Sequence, residues 1–389
     1  MNLKKEYIPL NIPFLNGKEK KYTLQCFKDN WLSSAGPYIS EFENKFAKYL
    51  GVKYAVACAS GTSSLHLALK SLDIAEGDLV LVSNLTFIAT VNVIRYINAV
   101  PVLVDADLDT WQIDVKVLEK FLNEECIIKN KKCFHAISGK RLSCLLITHI
   151  LGNACDLKQL KRIAREYNIL IVEDAAEALG AKFKGKFLGT HGALGCFSFN
   201  GNKVITTGSG GMLVTNSRRY ASLAKHLSQQ AKVNNNYFVH SDIGFNYRMS
   251  NVQAAIGLAQ LEDLNYRLQR KKSIYLRYKK SFSSINGISF PVETDNSQSS
   301  FWLTTIKINK NLIKPSIAVI QKRLSKNNIE TRSLWEPMNL SVPHRKALYI
   351  GRKNSKDLYS TCISLPSSIG LTNNQQKKVI KEFISAIKC

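Results

Sequence analysis

Lys203 has no acidic neighbour in sequence. In CFSFNGNKVITTGSGGM, residues 196–212, it follows a short apolar run and precedes a loop of small residues. An amine held at a strand end and partly withdrawn from water gives up its charge more easily and becomes a nucleophile. Three other segments offer matching chemistry. In VEDAA (172–176), Asp174 closes an apolar run. In ASGTSS (59–64), a strand end passes into a helix start, where free backbone N–H groups and the helix dipole favour an anion such as phosphate. In NLTF (84–87), Phe87 can offer a flat apolar face. Each has an ordinary reading alone: an N-cap aspartate, a Ser/Thr-capped turn, a core aromatic. Together they suit pyridoxal phosphate. That cofactor needs an amine to form a Schiff base, a carboxylate to keep its pyridine nitrogen protonated, a phosphate cup and a stacking face. Ser198 can add a hydroxyl to the cup, and TTGSGG (206–211) lets the backbone turn tightly beside it.

These segments need a scaffold that brings their ends together. From residue 54 to about 215, short apolar runs alternate with helical periods: YAVACAS (54–60), SSLHLALKSL (63–72), LVLVSNL (79–85), IATVNVIRYI (88–97), PVLVD (101–105). CLLITHI (144–150), DLKQLKRIAREY (156–167) and ILIVEDAA (169–176) form a clear strand–helix–strand unit. The alternation predicts an α/β fold with a mostly parallel sheet, and ligands in such sheets bind at the carboxyl ends of the strands. Residues 126–142 interrupt the rhythm and read as a hairpin or excursion. A weakly broken helical pattern runs from about Asn251 to Phe282. A chain of 389 residues exceeds one usual core. We expect a large domain over 1–254, with an N-terminal arm, and a smaller C-terminal α/β domain over 255–389 that includes the linking helix.

Composition narrows the function. No apolar run approaches the ~20 residues that span a bilayer, and the N-terminus lacks a signal-like apolar stretch, so the chain reads as soluble and cytoplasmic. The nine cysteines include no CxxC pair, so they read as reduced core residues with no metal site. The net charge of +25 is spread along the chain with acidic residues interleaved, which argues for a lysine-rich surface and no nucleic-acid partner; it also suits an anionic small substrate. GTHGALG (189–195) is not GxGxxG, and there is no Walker A sequence, so neither dinucleotide nor P-loop chemistry is expected.

Several long blocks, in order, resemble the pyridoxal-phosphate-dependent nucleotide-sugar aminotransferases of the DegT/StrS type, on the aspartate-aminotransferase fold (fold type I). They are WLSSAGPYISEFENKFAKYLGVKYAVACASGTSSLHLAL, VEDAAEALGAKFKGKFLGTHG, CFSFNGNKVITTGSGGM, GFNYRMSNVQAAIGLAQL and LPSSIGLT. The resemblance implies that Lys203 is the Schiff-base lysine and Asp174 the partner of the pyridine nitrogen. It implies Phe87 as the stacking aromatic, Gly61, Thr62 and Ser198 as the phosphate cup, and Glu177 beside the cofactor's ring oxygen. Asn246 matches a residue that reaches the phosphate from a neighbouring subunit, which implies a homodimer with shared active sites. RSLWEPMNL resembles a segment near the sugar nucleotide, so Arg332 and Trp335 are implied substrate contacts; Asn339 and Ser341 stand where His and Gln are common.

FNGNK, EDAAE, the excursion at 126–142 and a loop reading Gly208, Ser209, Gly210, Gly211, where many relatives have GEGG, resemble one branch of that family. That branch aminates C4 of UDP-linked 4-keto-6-deoxy-N-acetylhexosamines, with glutamate as donor, on routes to bacillosamine and legionaminic acid. A relative acting on GDP-4-keto-6-deoxymannose, giving perosamine, is the alternative substrate reading. A non-catalytic sugar-nucleotide sensor is the alternative of another class, and retention of both Lys203 and Asp174 speaks against it.

Overall fold

The structure, a computed structural model, describes residues 7–233 and 238–388. The expectations for the extreme N-terminus and for Cys389 fall outside those residues. Eight strands carry the architecture: β1 Tyr54–Cys58, β2 Leu79–Ser83, β3 Val100–Val104, β4 Arg141–Thr148, β5 Leu170–Asp174, β6 Leu194–Ser198, β7 Gly211–Thr215 and β8 Leu348–Ile350. They lie side by side in the order β1-β7-β6-β5-β4-β2-β3-β8. Neighbours are parallel except at β7, which is antiparallel to both β1 and β6.

These runs form strands because both faces must be apolar where helices cover a parallel sheet. LVLVS in β2 is buried throughout. Alternate residues go to opposite faces. Leu79, Leu81, Leu145, Ile147 and Ile171 enter one core, and Val80, Val82, Cys144, Leu146 and Val172 enter the other. Full burial of each such aliphatic side chain contributes roughly 1.5–3 kcal/mol.

The covering helices start where the sequence caps them. Helix α1, Gly61–Lys70, begins at Ser60, whose hydroxyl accepts from the Ser63 N–H at 3.0 Å. Helix α2 spans Ile88–Tyr96, and α3 spans Leu157–Glu166 behind the Asp156 cap. The long helical pattern that starts at Asn251 is two helices, α4 Asn251–Glu262 and α5 Leu264–Phe282, separated at Asp263 with φ −105° and ψ 14°. A reciprocal Ser250–Gln253 capping box fixes the start of α4.

Residues 126–142 contain a hairpin of Cys126–Lys129 with Lys132–His135, and its second strand pairs onto β4 through Cys133 and Phe134. Toward the C-terminus, four strands (288–289, 304–308, 362–365 and 332–333) form a second sheet. Ile274, Tyr278, Ile306, Leu324, Ile363 and Phe383 pack a third core against it. The same C-terminal half also supplies β8 to the edge of the large sheet. Among the described residues, no helix is long and apolar enough to cross a membrane, the eight cysteines are free, and no His/Cys/Asp/Glu group is arranged to hold a metal.

Candidate active site

Because β7 runs against its neighbours, it starts at the edge where β1 and β6 end: Gly211 pairs with both Cys58 and Ser198. The intervening segment, 199–210, is therefore a loop folded over the carboxyl edge of the sheet. Phe199 N–H donates to the Gly210 carbonyl at 2.8 Å, and Thr207 N–H to the Phe199 carbonyl at 3.0 Å, which pins its base. Gly208 turns it with φ +81°, a conformation costly for other residues. Ser209, at the position of the glutamate common in GEGG loops, ties the loop to β1 through a 2.9 Å hydrogen bond from its hydroxyl to the Ala59 carbonyl.

A cavity of about 400 Å³ opens at this edge. It gathers Gly61, Thr62, Phe87, Asp174, Glu177, Ser198, Lys203, Arg332 and Trp335 on one surface. Nine of the ten expected site residues thus meet, from segments spread across most of the chain. Asn246, the tenth, does not line this cavity; its backbone bridges to Gln229.

The Lys203 amine lies 3.8 Å from a Glu177 carboxylate oxygen and 4.1 Å above the centre of the Trp302 ring. Burial holds it below the usual lysine range, against the pull of Glu177 and Asp174. Burial likewise pushes Glu177 up to about 7, opposed by Lys203 and by the Leu151 N–H, which donates to it at 2.7 Å. Both shifts run toward a neutral amine facing a neutral acid, the form in which the amine is a nucleophile. Trp302 is itself fixed: its indole N–H donates to the Asn202 carbonyl at 2.7 Å, and its ring stacks on Trp335 with centroids 6.0 Å apart.

Asp174 ends β5 and is buried. One carboxylate oxygen accepts from the Thr90 hydroxyl at 2.6 Å and the other from the Ala176 N–H at 3.1 Å. Burial pushes its pKa up, opposed by those two donors and by the charge of Lys203. Glu173, one residue earlier, points to the opposite face. It accepts from His149 Nε2 at 2.9 Å and from the N–H groups of Gly189, His191 and Gly192. The glycine-rich GTHGALG segment therefore cradles an internal carboxylate.

The phosphate-cup expectation rests on a close approach. A Cβ on Gly61 would lie 2.7 Å from the Ser198 Cβ and 3.3 Å from its Cα, so only glycine lets the start of α1 touch the end of β6. At that junction the helix N–H groups and two hydroxyls, those of Thr62 and Ser198, border the cavity. Phe87, which lines the same cavity, stays 53% exposed. The Asn202 Oδ1 atom, beside the lysine, is buried without a hydrogen-bond partner. A nucleophilic amine, an acceptor carboxylate, an anion cup and a free aromatic face are the donor set pyridoxal phosphate requires, and the residues present fit it.

Fold and site together fit the α/β transferases that use pyridoxal phosphate. The chain belongs to the DegT/DnrJ/EryC1/StrS aminotransferase family, whose model matches residues 13–384. It is a pyridoxal-phosphate-dependent transaminase. It is 37% identical over 378 residues to the putative pyridoxal phosphate-dependent aminotransferase EpsN of Bacillus subtilis (strain 168), covering 96% of this chain and 94% of that protein. It is 39% identical over 370 residues to the GDP-perosamine synthase of Escherichia coli O157:H7, covering 95% and 96%. Among solved structures, Helicobacter pylori PseC, described as an aminotransferase involved in the biosynthesis of pseudoaminic acid, superposes with a TM-score of 0.88 at 22% identity, over 98% of this chain and all of that one.

Trp302, Thr90 and His149 were not singled out by the sequence. Trp302 sits in the C-terminal half, just before a strand that gives no chemical signal. Thr90 and His149 look like ordinary helix and strand-end residues. A polar residue inside an apolar run, as in CLLITHI, was the one available hint.

Proposed function

We propose that the chain transfers an amino group to the C4 carbonyl of a nucleotide-linked 4-keto-6-deoxy sugar, with UDP-4-keto-6-deoxy-N-acetylglucosamine as the substrate and glutamate as the donor, in surface-glycan synthesis. The observation that carries this reading is that Lys203 and Asp174 line one cavity together with Gly61, Thr62, Ser198, the two tryptophans and Arg332. Pyridoxal phosphate, when bound, supplies an aldehyde that can exchange its oxygen for an amino group and a ring that withdraws electrons. The chain's residues do the rest. Lys203 Nζ would hold the cofactor covalently and, once released, move a proton at the carbon that gains or loses the amino group. Glu177, 3.8 Å away, would keep that amine within reach and exchange a proton with it. Asp174 would hold the proton on the ring nitrogen. Gly61, Thr62 and Ser198 would take the phosphate, and Phe87 would cover the ring. Arg332 and Trp335 would meet the sugar nucleotide.

The protein would work as a homodimer. Phe238 and Ile243, 91% and 84% exposed, stand near Asn246 on the segment that would cross to a second copy. Asn246 would there complete the partner's phosphate cup.

The loop at Gly208–Gly211 and the excursion at 126–142 favour a UDP-linked sugar. The 39% identity to a GDP-perosamine synthase favours GDP-4-keto-6-deoxymannose as the second reading. Steady-state kinetics with both sugars distinguish them: the higher kcat/KM names the substrate, and failure of both overturns the 4-keto-6-deoxy assignment.

A further inference from the structure

Beside Asp174, from three separate places in the chain, runs a line of buried hydroxyls, two of which, those of Thr86 and Thr148, belong to residues that line the same cavity. Thr90 Oγ1, on α2, lies 2.6 Å from Asp174 Oδ2; Thr86 Oγ1, after β2, lies 3.0 Å from that of Thr90; Thr148 Oγ1, at the end of β4, lies 2.9 Å from that of Thr86. All three threonines are at most 5% exposed. A carboxylate accepts and cannot donate, and a hydroxyl has one hydrogen. Thr90 must therefore spend its hydrogen on Asp174 and can only accept from Thr86. Thr86, having donated, can only accept from Thr148. Ionised Asp174 sets the direction of every hydrogen in the line. Reversal would leave the outward hydrogen of Thr148 seeking another acceptor.

We propose that Thr86 and Thr148 are positioning residues of the transamination reaction, polarising the Thr90 hydroxyl so that buried Asp174 stays a carboxylate and holds a proton on the cofactor's ring nitrogen. This rests on the assignment of Asp174 above and extends it by two residues that need not touch the cofactor's nitrogen. The mechanism is cooperative: each hydrogen bond strengthens the next in a medium of low dielectric. The other charged or titratable groups around Asp174 are Lys203, Glu177, His149 and Cys196. Lys203 assists ionisation but forms no hydrogen bond to its carboxylate oxygens. Burial opposes ionisation, so the hydroxyl line supplies what charge at a distance does not.

The test uses the loaded full-length protein and two variants, Thr86→Val and Thr148→Val, which keep shape and remove one hydroxyl each. Pyridoxal phosphate labelled with nitrogen-15 in its ring reports ring protonation directly by NMR. In both variants the resonance should move toward the unprotonated value. The pH midpoint of the visible absorbance should also rise, because loss of the ring's positive charge raises proton affinity at the linked lysine nitrogen. kcat should fall up to about tenfold, the scale of one hydrogen bond. Thr86→Ser should restore all three. An unchanged resonance and midpoint in the valine variants overturn the proposal, as does a resonance that Thr86→Ser fails to restore. If Thr86→Val does not fold, Thr148→Val at the far end of the line decides alone. Borohydride reduction of the wild-type protein, followed by peptide mapping, separates this from the underlying reading: cofactor fixed on Lys203 leaves that reading standing whichever way the valine variants behave.

Discussion

Lys203 faces Glu177 at 3.8 Å and the Trp302 ring at 4.1 Å, and burial lowers its pKa while raising that of Glu177. A lysine on the surface would be a solvated cation with little nucleophilicity at neutral pH. On the roles proposed for it, replacing it removes both the covalent anchor and the proton carrier. Lys203→Ala should lose activity by about a thousandfold or more, and Lys203→Arg should do no better because a guanidinium keeps its charge. Steady-state assay together with the loss of cofactor retained after borohydride treatment checks this. Lys203 was legible in the sequence because a lone amine between an apolar run and a glycine-rich loop has few ordinary explanations. Trp302 was not. It reaches the Asn202 carbonyl from 100 residues further along the chain, and no local pattern announces such a contact.

The elements act by delivering side chains to one edge. Strand β5 places Asp174 and Glu173 on opposite faces by simple alternation, and β4 brings His149 beside the second. His149 Nδ1 accepts from the Cys155 N–H at 3.2 Å, so the ring carries its one hydrogen on Nε2 and donates it to Glu173 at 2.9 Å as a neutral imidazole. His149→Leu removes that donor from a buried carboxylate and should cost about 1.5–3 kcal/mol near neutral pH. Urea unfolding of both proteins measures it, and an unchanged stability would contradict the arrangement. Helix α1 gives a second prediction. The Cβ of Gly61→Ala would press against Ser198 at 2.7 Å, displacing the helix start from the strand end. Cofactor affinity should drop by about tenfold or more, read by pyridoxal phosphate titration of the apoprotein. The strands of the parallel sheet were legible because both their faces are buried and the runs are nearly all apolar. The split at Asp263 was not, since the residues on either side keep a helical pattern and only the backbone departs.

For the whole molecule, the arrangement predicts shared sites. Lys203 lines the cavity of its own chain, while Asn246 lies off it on a segment with exposed apolar residues. If two copies complete each other, Lys203→Ala and Asn246→Ala are each defective alone. Mixed after unfolding and refolding together, they should recover about a quarter of wild-type activity, because half the dimers are mixed and each mixed dimer has one intact site. Absence of recovery would place Asn246 outside any shared site. A smaller α/β domain was expected over 255–389; the return of Leu348–Ile350 to the edge of the large sheet was not, since three residues carry no pattern of their own. The most direct measurement follows the half-reaction. The purified protein is converted with glutamate to its pyridoxamine form and then mixed with UDP-4-keto-6-deoxy-N-acetylglucosamine. The account predicts that the visible absorbance of the pyridoxal form returns as the amino sugar nucleotide appears. A wild-type protein that never takes up pyridoxal phosphate on Lys203, and so shows no such band in any state, would contradict it.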